Sequence, residues 1–240
     1  MNKVVTRDEW EAAVKAVHER EDELAKLDEE TAKQRQELPW APIDKEYVFD
    51  TEDGPKTLVE LFDGRSQLLV YHLMFGATYK AACPGCTALA DGFDGVFPHL
   101  NARDITLIAI SRAPIDKLSA YKQRMGWKFP YVSSSENDFN VDVGFAATDE
   151  MMQSGELAKL VAEPDDFMKR WAEDVGTDLA HGVREFPGWN VFKLVDGVVY
   201  RTYWRTAPDR FVVVPFYSQL LDRVPDGREA DFPLKRRDEY

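Results

Sequence analysis

Apolar residues change their spacing along this chain, and each change marks an element. Over residues 6–37 the apolar positions are few: Trp10, Val14, Val17, Leu24 and Leu27 recur at helical spacing among charged residues, with Glu21 on the same face. Thr6 with Glu9 forms a capping box, and Leu38-Pro39 ends the run, so one long helix is expected there. Residues 1–38 read as a helical arm distinct from a domain over 39–240. The stripe has two readings: a solvated helix lying on the domain, or a weak heptad seam that makes the arm a dimerisation element and the protein a homodimer.

Beyond Leu38 the pattern shifts to short apolar blocks. LPWAPIDKEYVFDTEDG has two prolines, a strand-like YVF and a turn at Asp53-Gly54, and TLVELFDG follows as a short helix or loop. QLLVYHLMF (67–75) and ITLIAI (105–110) are continuous apolar runs, as in strands buried on both faces. Between them Leu89, Phe93, Val96 and Leu100 keep helical spacing through TALADGFDGVFPHL. Pro114 opens a helix carrying Ile115, Leu118, Tyr121 and Met125, which Gly126 closes, and KFPYVSS is a third strand. Residues 145–183 contain two expected helices, MMQSGELAKLVA and DDFMKRWAEDVGTDLA, split at Glu163-Pro164. VFKLV and VVYRTYW flank Asp196-Gly197, a hairpin signal, and FYSQLLDRV reads as a last short helix before a polar tail.

Strands alternating with helices predict an α/β layered fold: a mostly parallel central sheet covered on both faces, a C-terminal antiparallel hairpin, and a helical insertion at about 145–183. Hydrophobic residues are 44% of the 240, enough for a sizeable core. Thirty basic residues against 43 acidic ones give a net charge of -13, which repels phosphate backbones and anionic lipid, so neither nucleic acid nor a membrane surface is an expected partner. MNKVVTRDEWEA offers no apolar signal segment, and no stretch is long and apolar enough to span a bilayer, which points to the cytoplasm.

Against that setting, the two cysteines of the chain fall in one motif, ACPGCT, as Cys83 and Cys86. In a reducing compartment such a pair is catalytic or metal-binding rather than a permanent cross-link. Two residues between the sulfurs at a helix start bring them within bonding distance, and the unpaired N–H groups there stabilise a thiolate on the first. Pro84 suits the first turn, where its missing N–H forfeits no helical bond. Cys83 is thus the candidate nucleophile and Cys86 the resolving thiol. Zinc is the rival, but a structural site wants four ligands. The four histidines, His18, His72, His99 and His181, make no H-x-x-x-H pair, so no metal is expected.

Two further residues are candidates for the same site. His72 lies in the first buried strand, either as a core histidine or as a proton relay for the cysteines. Arg112, in ISRAP after the second strand, sits where α/β folds gather functional groups; it either stabilises a thiolate or anionic substrate, or pairs with nearby acids.

Strand, CPGC, helix resembles the thioredoxin superfamily, and GVREFPGWNVFKLVDGVV resembles the segment in which a cis-proline opens a strand–turn–strand hairpin. That resemblance implies Pro187 as the cis-proline that faces the cysteines and helps present substrate. The run from GRSQLLVYHLMFG through CPGCT, HLNARDITLIAISRAP, RMGWKFPYVSS and DFNVD to the hairpin is similar, over nearly the whole chain, to an uncharacterised bacterial thioredoxin-like family known as a domain of unknown function. Two departures stand out. GATYKAA separates the strand from the cysteines, unlike in thioredoxin, and Thr78 is at the wrong spacing, without the proline, for a peroxiredoxin motif.

Taken together, these features predict a thiol–disulfide oxidoreductase with no bound cofactor. Its partners would be protein or small-molecule disulfides and a thiol electron donor. The alternatives are a non-catalytic protein-binding module on the same fold and a peroxiredoxin-like thiol peroxidase.

Overall fold

A computed structural model describes residues 3–206, 219–225 and 234–240. The chain divides into two compact units, 1–39 and 40–240. In the first, helix α1 (Arg7–Gln36) begins with the expected capping box: Thr6 Oγ1 accepts from the Glu9 N–H and Glu9 Oε2 accepts from the Thr6 N–H. None of its residues is buried, and Trp10, Val17, Leu24 and Leu27 are each more than half exposed.

Among the described residues, the second unit is built on an eight-stranded sheet. In chain order its elements are β1 (Ala41–Pro42), β2 (Val48–Thr51), β3 (Gly54–Thr57), a 3-10 turn (Glu60–Phe62), β4 (Gln67–His72), α2 (Pro84–Ala90), α3 (Phe93–Asn101), β5 (Ile105–Ser111), α4 (Ile115–Met125) and β6 (Tyr131–Ser133). There follow α5 (Phe139–Asp142), α6 (Asp149–Gln153), α7 (Gly155–Ala162), α8 (Asp166–Val175), α9 (Leu179–Gly182), β7 (Gly188–Val195) and β8 (Val198–Thr206). Across the sheet the order is β1-β8-β7-β4-β5-β6-β2-β3. Only β4–β5 and β5–β6 are parallel, so the expected mostly parallel character is confined to three central strands. Their crossovers carry α2–α3 and α4. Antiparallel pairs close both sides: β7 and β8 beside β4, β2 and β3 beside β6. The result is the thioredoxin-like layered α/β fold with a long N-terminal helix.

Period-two alternation on the central strands supplies two cores. On β4, Leu69 and Tyr71 face one side and Leu68, Val70 and His72 the other; on β5, Leu107 and Ala109 oppose Ile108 and Ile110. The first face packs against α2, α3 and α4 and holds both cysteines. The second packs Phe139, Phe145 and Phe192, with Phe139 edge-on to Phe49 and Tyr47 at 5.0 Å each.

Two expectations need correction. The apolar run after the cysteines is two helices: Asp91 turns aside to accept from Trp127 Nε1 (2.8 Å), and Asp94 accepts the Lys128 and Phe129 N–H groups. The insertion holds four helices, because Gly155 at φ 75 breaks its first half and Gly176 at φ 68 caps α8, positions that favour glycine. Of FYSQLLDRV, residues 216–218 lie outside the described residues, and residues 219–221 are helical.

Candidate functional site

Cys83 is the N-cap residue of α2, with Pro84 in the first turn; its side chain makes no capping hydrogen bond, and the nearby Gly85 and Cys86 amides add only the smallest of the pulls toward the thiolate. The Cys83 N–H itself donates to Met74 O (3.0 Å), which ties the GATYKAA loop back to the end of β4. Both thiols are free. The neighbouring Cys86 thiol is the largest influence lowering Cys83 to about 6; burial opposes it. The next favourable contact comes from Trp171, whose Nε1–H lies 3.4 Å from Cys83 Sγ. Cys86, fully buried on the core side, is pushed well above the ordinary thiol range by burial and by its neighbour's charge. Tyr71 from β4 is a fully buried neighbour that pulls against the rise of Cys86, and its hydroxyl has no hydrogen-bond partner among the described residues. The two thiols are therefore unequal: one is poised as a thiolate, the other holds its proton.

The insertion builds the wall over Cys83. The end of α8 clamps the cysteine loop, because Val175 O accepts the N–H groups of Lys80 (2.8 Å) and Ala81 (3.3 Å). Trp171, one turn earlier, packs edge-on to Tyr79, whose hydroxyl donates to Gly182 O (2.6 Å). Gly182 is required at that contact, since a β-carbon would sit 2.6 Å from the Trp171 ring. Cys83 keeps 9% of its surface exposed and Cys86 none.

The other sequence candidates separate. Arg112 pairs with Glu185 (3.2 Å), a buried carboxyl that burial raises to about 7 against the pull of Arg112 and Arg184. Tyr79 stands within electrostatic reach of this pair and of both cysteines. His72 does not join the site. It lies on the opposite face of the sheet from Tyr71 and the cysteines, stacked on Phe145 at 3.8 Å, because adjacent strand residues point to opposite faces. Neither of its ring nitrogens has a hydrogen-bond partner among the described residues, and burial holds it well below the usual histidine range. Pro187 precedes β7, but no peptide bond among the described residues is cis, which corrects the cis-proline expectation. Trans is the ordinary X-Pro state, and the close approach at this corner is made by Gly188 instead, where a β-carbon would collide with Arg205 O.

Sequence reasoning missed Trp171, Tyr71, Glu185 and Arg236. The last was read as part of a polar tail, yet it is 5% exposed and donates to Ala82 O, the carbonyl preceding Cys83. Among the described residues, no three His, Cys, Asp or Glu side chains are grouped to hold a metal ion. None of the described helices is long and apolar enough to cross a membrane.

Fold and motif thus define a thioredoxin-like protein with an unequal thiol pair at a helix start. The chain belongs to the family described as "Bacterial protein of unknown function (DUF899)", whose model matches residues 1–240. No curated protein matches it in sequence. Among solved structures it is similar to a cysteine-to-serine variant of PrxQ from Xylella fastidiosa (14% identity, 65% of this chain and 79% of that one, TM-score 0.41). It is also similar to peroxidoxin BcpB from Mycobacterium tuberculosis (14%, 70% and 82%, 0.41). A third is the bacterioferritin comigratory protein of Xanthomonas campestris (13%, 65% and 81%, 0.42).

Proposed function

We propose that the protein is a thiol–disulfide oxidoreductase that works through Cys83 and Cys86. Above about pH 6 Cys83 is a thiolate. It attacks one sulfur of a disulfide, forms a mixed disulfide and expels the other sulfur as a thiolate, which takes a proton from solvent. Cys86 then loses its proton and attacks Cys83 Sγ. This closes the Cys83–Cys86 bond and releases the second substrate thiol. Two electrons pass to the substrate, and a thiol donor returns them by the reverse exchange. No bound cofactor is needed, and the substrate is a protein or small-molecule disulfide. Arg112, beside Tyr79, would meet an anionic substrate at the edge of the site, and Pro187 would border its binding strand.

The observation that carries this reading is the place of Cys83 at the start of α2, its sulfur 3.4 Å from the Trp171 indole nitrogen and its thiol lowered to about 6, chiefly by Cys86. A merely structural cysteine has no use for a thiolate. Thiol titration before and after mild oxidant tests it: two thiols should vanish together and return with a dithiol reductant, and Cys86→Ser should instead accumulate mixed disulfides.

The low exposure of Cys83 favours one second reading, a thiol peroxidase, because a peroxide is small enough to reach a covered sulfur. Cys83 would attack the O–O bond and become the sulfenic acid as the peroxide leaves as alcohol or water. Cys86 would then condense with it to the disulfide and water. Stoichiometric peroxide loss with inertness toward disulfides would select this reading.

A further inference from the structure

Near the C-terminus, Arg236 is the most deeply buried basic side chain next to the site. Its Nε and Nη2 both donate to Ala82 O (3.0 and 2.7 Å), and Nη2 also donates to Asp174 O (2.9 Å). Nη1 is held by Glu239 Oε1 at 3.1 Å, within its own segment. One planar guanidinium therefore spans two pieces of backbone. Ala82 is the residue before Cys83, and Asp174 lies on α8 three residues after Trp171, the indole donor to Cys83 Sγ.

We propose that Arg236 is a positioning residue that fixes the cysteine loop against α8 and so sets the Trp171–Cys83 contact. The inference rests on the proposed thiol chemistry of Cys83. A guanidinium presents donors in a rigid fork, whereas a lysine is a point donor that cannot hold two carbonyls in fixed relation. Anchoring is reinforced around it: Arg124 pairs with Asp238 (2.7 Å) and Glu239 (2.9 Å), so the segment is pinned to α4 as well. The C-terminal segment thereby acts on the sulfur without touching it.

The test is the pH profile of Cys83 alkylation by iodoacetamide in the full chain, read by peptide mapping, for Arg236→Lys, Trp171→Phe and the double variant. Arg236→Lys should raise the midpoint; a rise of about one unit slows labelling at pH 6.5 about threefold. Trp171→Phe should raise it by itself, and adding Arg236→Lys should then change little, because Arg236 acts through that contact. If Arg236→Lys fails to fold, Glu239→Gln, which frees the guanidinium from its own segment, should raise the midpoint by a smaller step. A lowered melting temperature with an unmoved profile, or additive shifts in the double variant, would overturn the inference. A wild-type Cys83 with an ordinary thiol midpoint would instead overturn the proposed function, so the two failures are distinct.

Discussion

Trp171 and Cys83, 88 residues apart, meet at 3.4 Å with the indole N–H directed at the sulfur. The bond makes the inserted helix α8 part of the thiol environment rather than a peripheral addition. Its seat depends on Gly182, over which the ring lies.

Gly182→Ala should act at a distance on Cys83. The added methyl displaces the Trp171 ring, weakens its hydrogen bond and raises the Cys83 midpoint, while the sheet and cysteine loop stay folded. Alkylation at pH 6.5 should slow by about threefold for a one-unit rise. An unchanged profile with normal circular dichroism would show that the indole does not set the thiol.

His72→Phe should leave the thiol chemistry untouched, since the ring lies across the sheet, and should make the protein less acid-sensitive. Burial keeps native His72 neutral, with Arg201 adding to the effect, while the unfolded imidazole takes up a proton below its ordinary value near 6.5. The unfolded state thus binds more protons at low pH, and the wild type loses stability as pH falls through that value. Denaturant melts at pH 5 and pH 8 should show the variant gaining more at pH 5. Loss of disulfide exchange in this variant would revive the proton-relay role.

Glu185→Gln should change the pH dependence in the opposite sense. The carboxyl is raised from 4.5 to about 7, so the native state holds a proton that the unfolded chain has released. Stability from this group is full below 4.5 and is lost as pH rises through 7, by up to about 3 kcal/mol. The wild-type minus variant difference, measured by urea unfolding, should decline across that window. A flat difference would mean that Arg112 already keeps Glu185 ionised.

Much of this organisation was legible in the sequence because it is local. The capping box at Thr6, the apolar runs of β4 and β5 and the Asp196-Gly197 turn each carry their own pattern. So does CPGC, whose spacing alone marks Cys83 and Cys86. What was not legible depends on tertiary contact. Trp171 in DFMKRWAEDV reads as an ordinary apolar position of an amphipathic helix, and Arg236 in LKRRDEY reads as solvated charge. Glu185 gave no signal, because burial rather than sequence context shifts it. His72 was drawn to the cysteines by its strand, and only the facing of Tyr71 toward them assigns it to the other side. The helix breaks at Asp91 and Gly155 were hidden because apolar periodicity continues across them.

The inequality of the two thiols is the central claim, and rate-resolved alkylation of the reduced wild-type protein across pH 5 to 10 measures it directly. Cys83 should label with a midpoint near 6, and Cys86 should resist labelling throughout the neutral range. At pH 7 that midpoint leaves about nine-tenths of Cys83 as thiolate, against about 3% for an ordinary thiol. Equal, slow labelling of both cysteines with a shared midpoint at or above about 8.5 would contradict it.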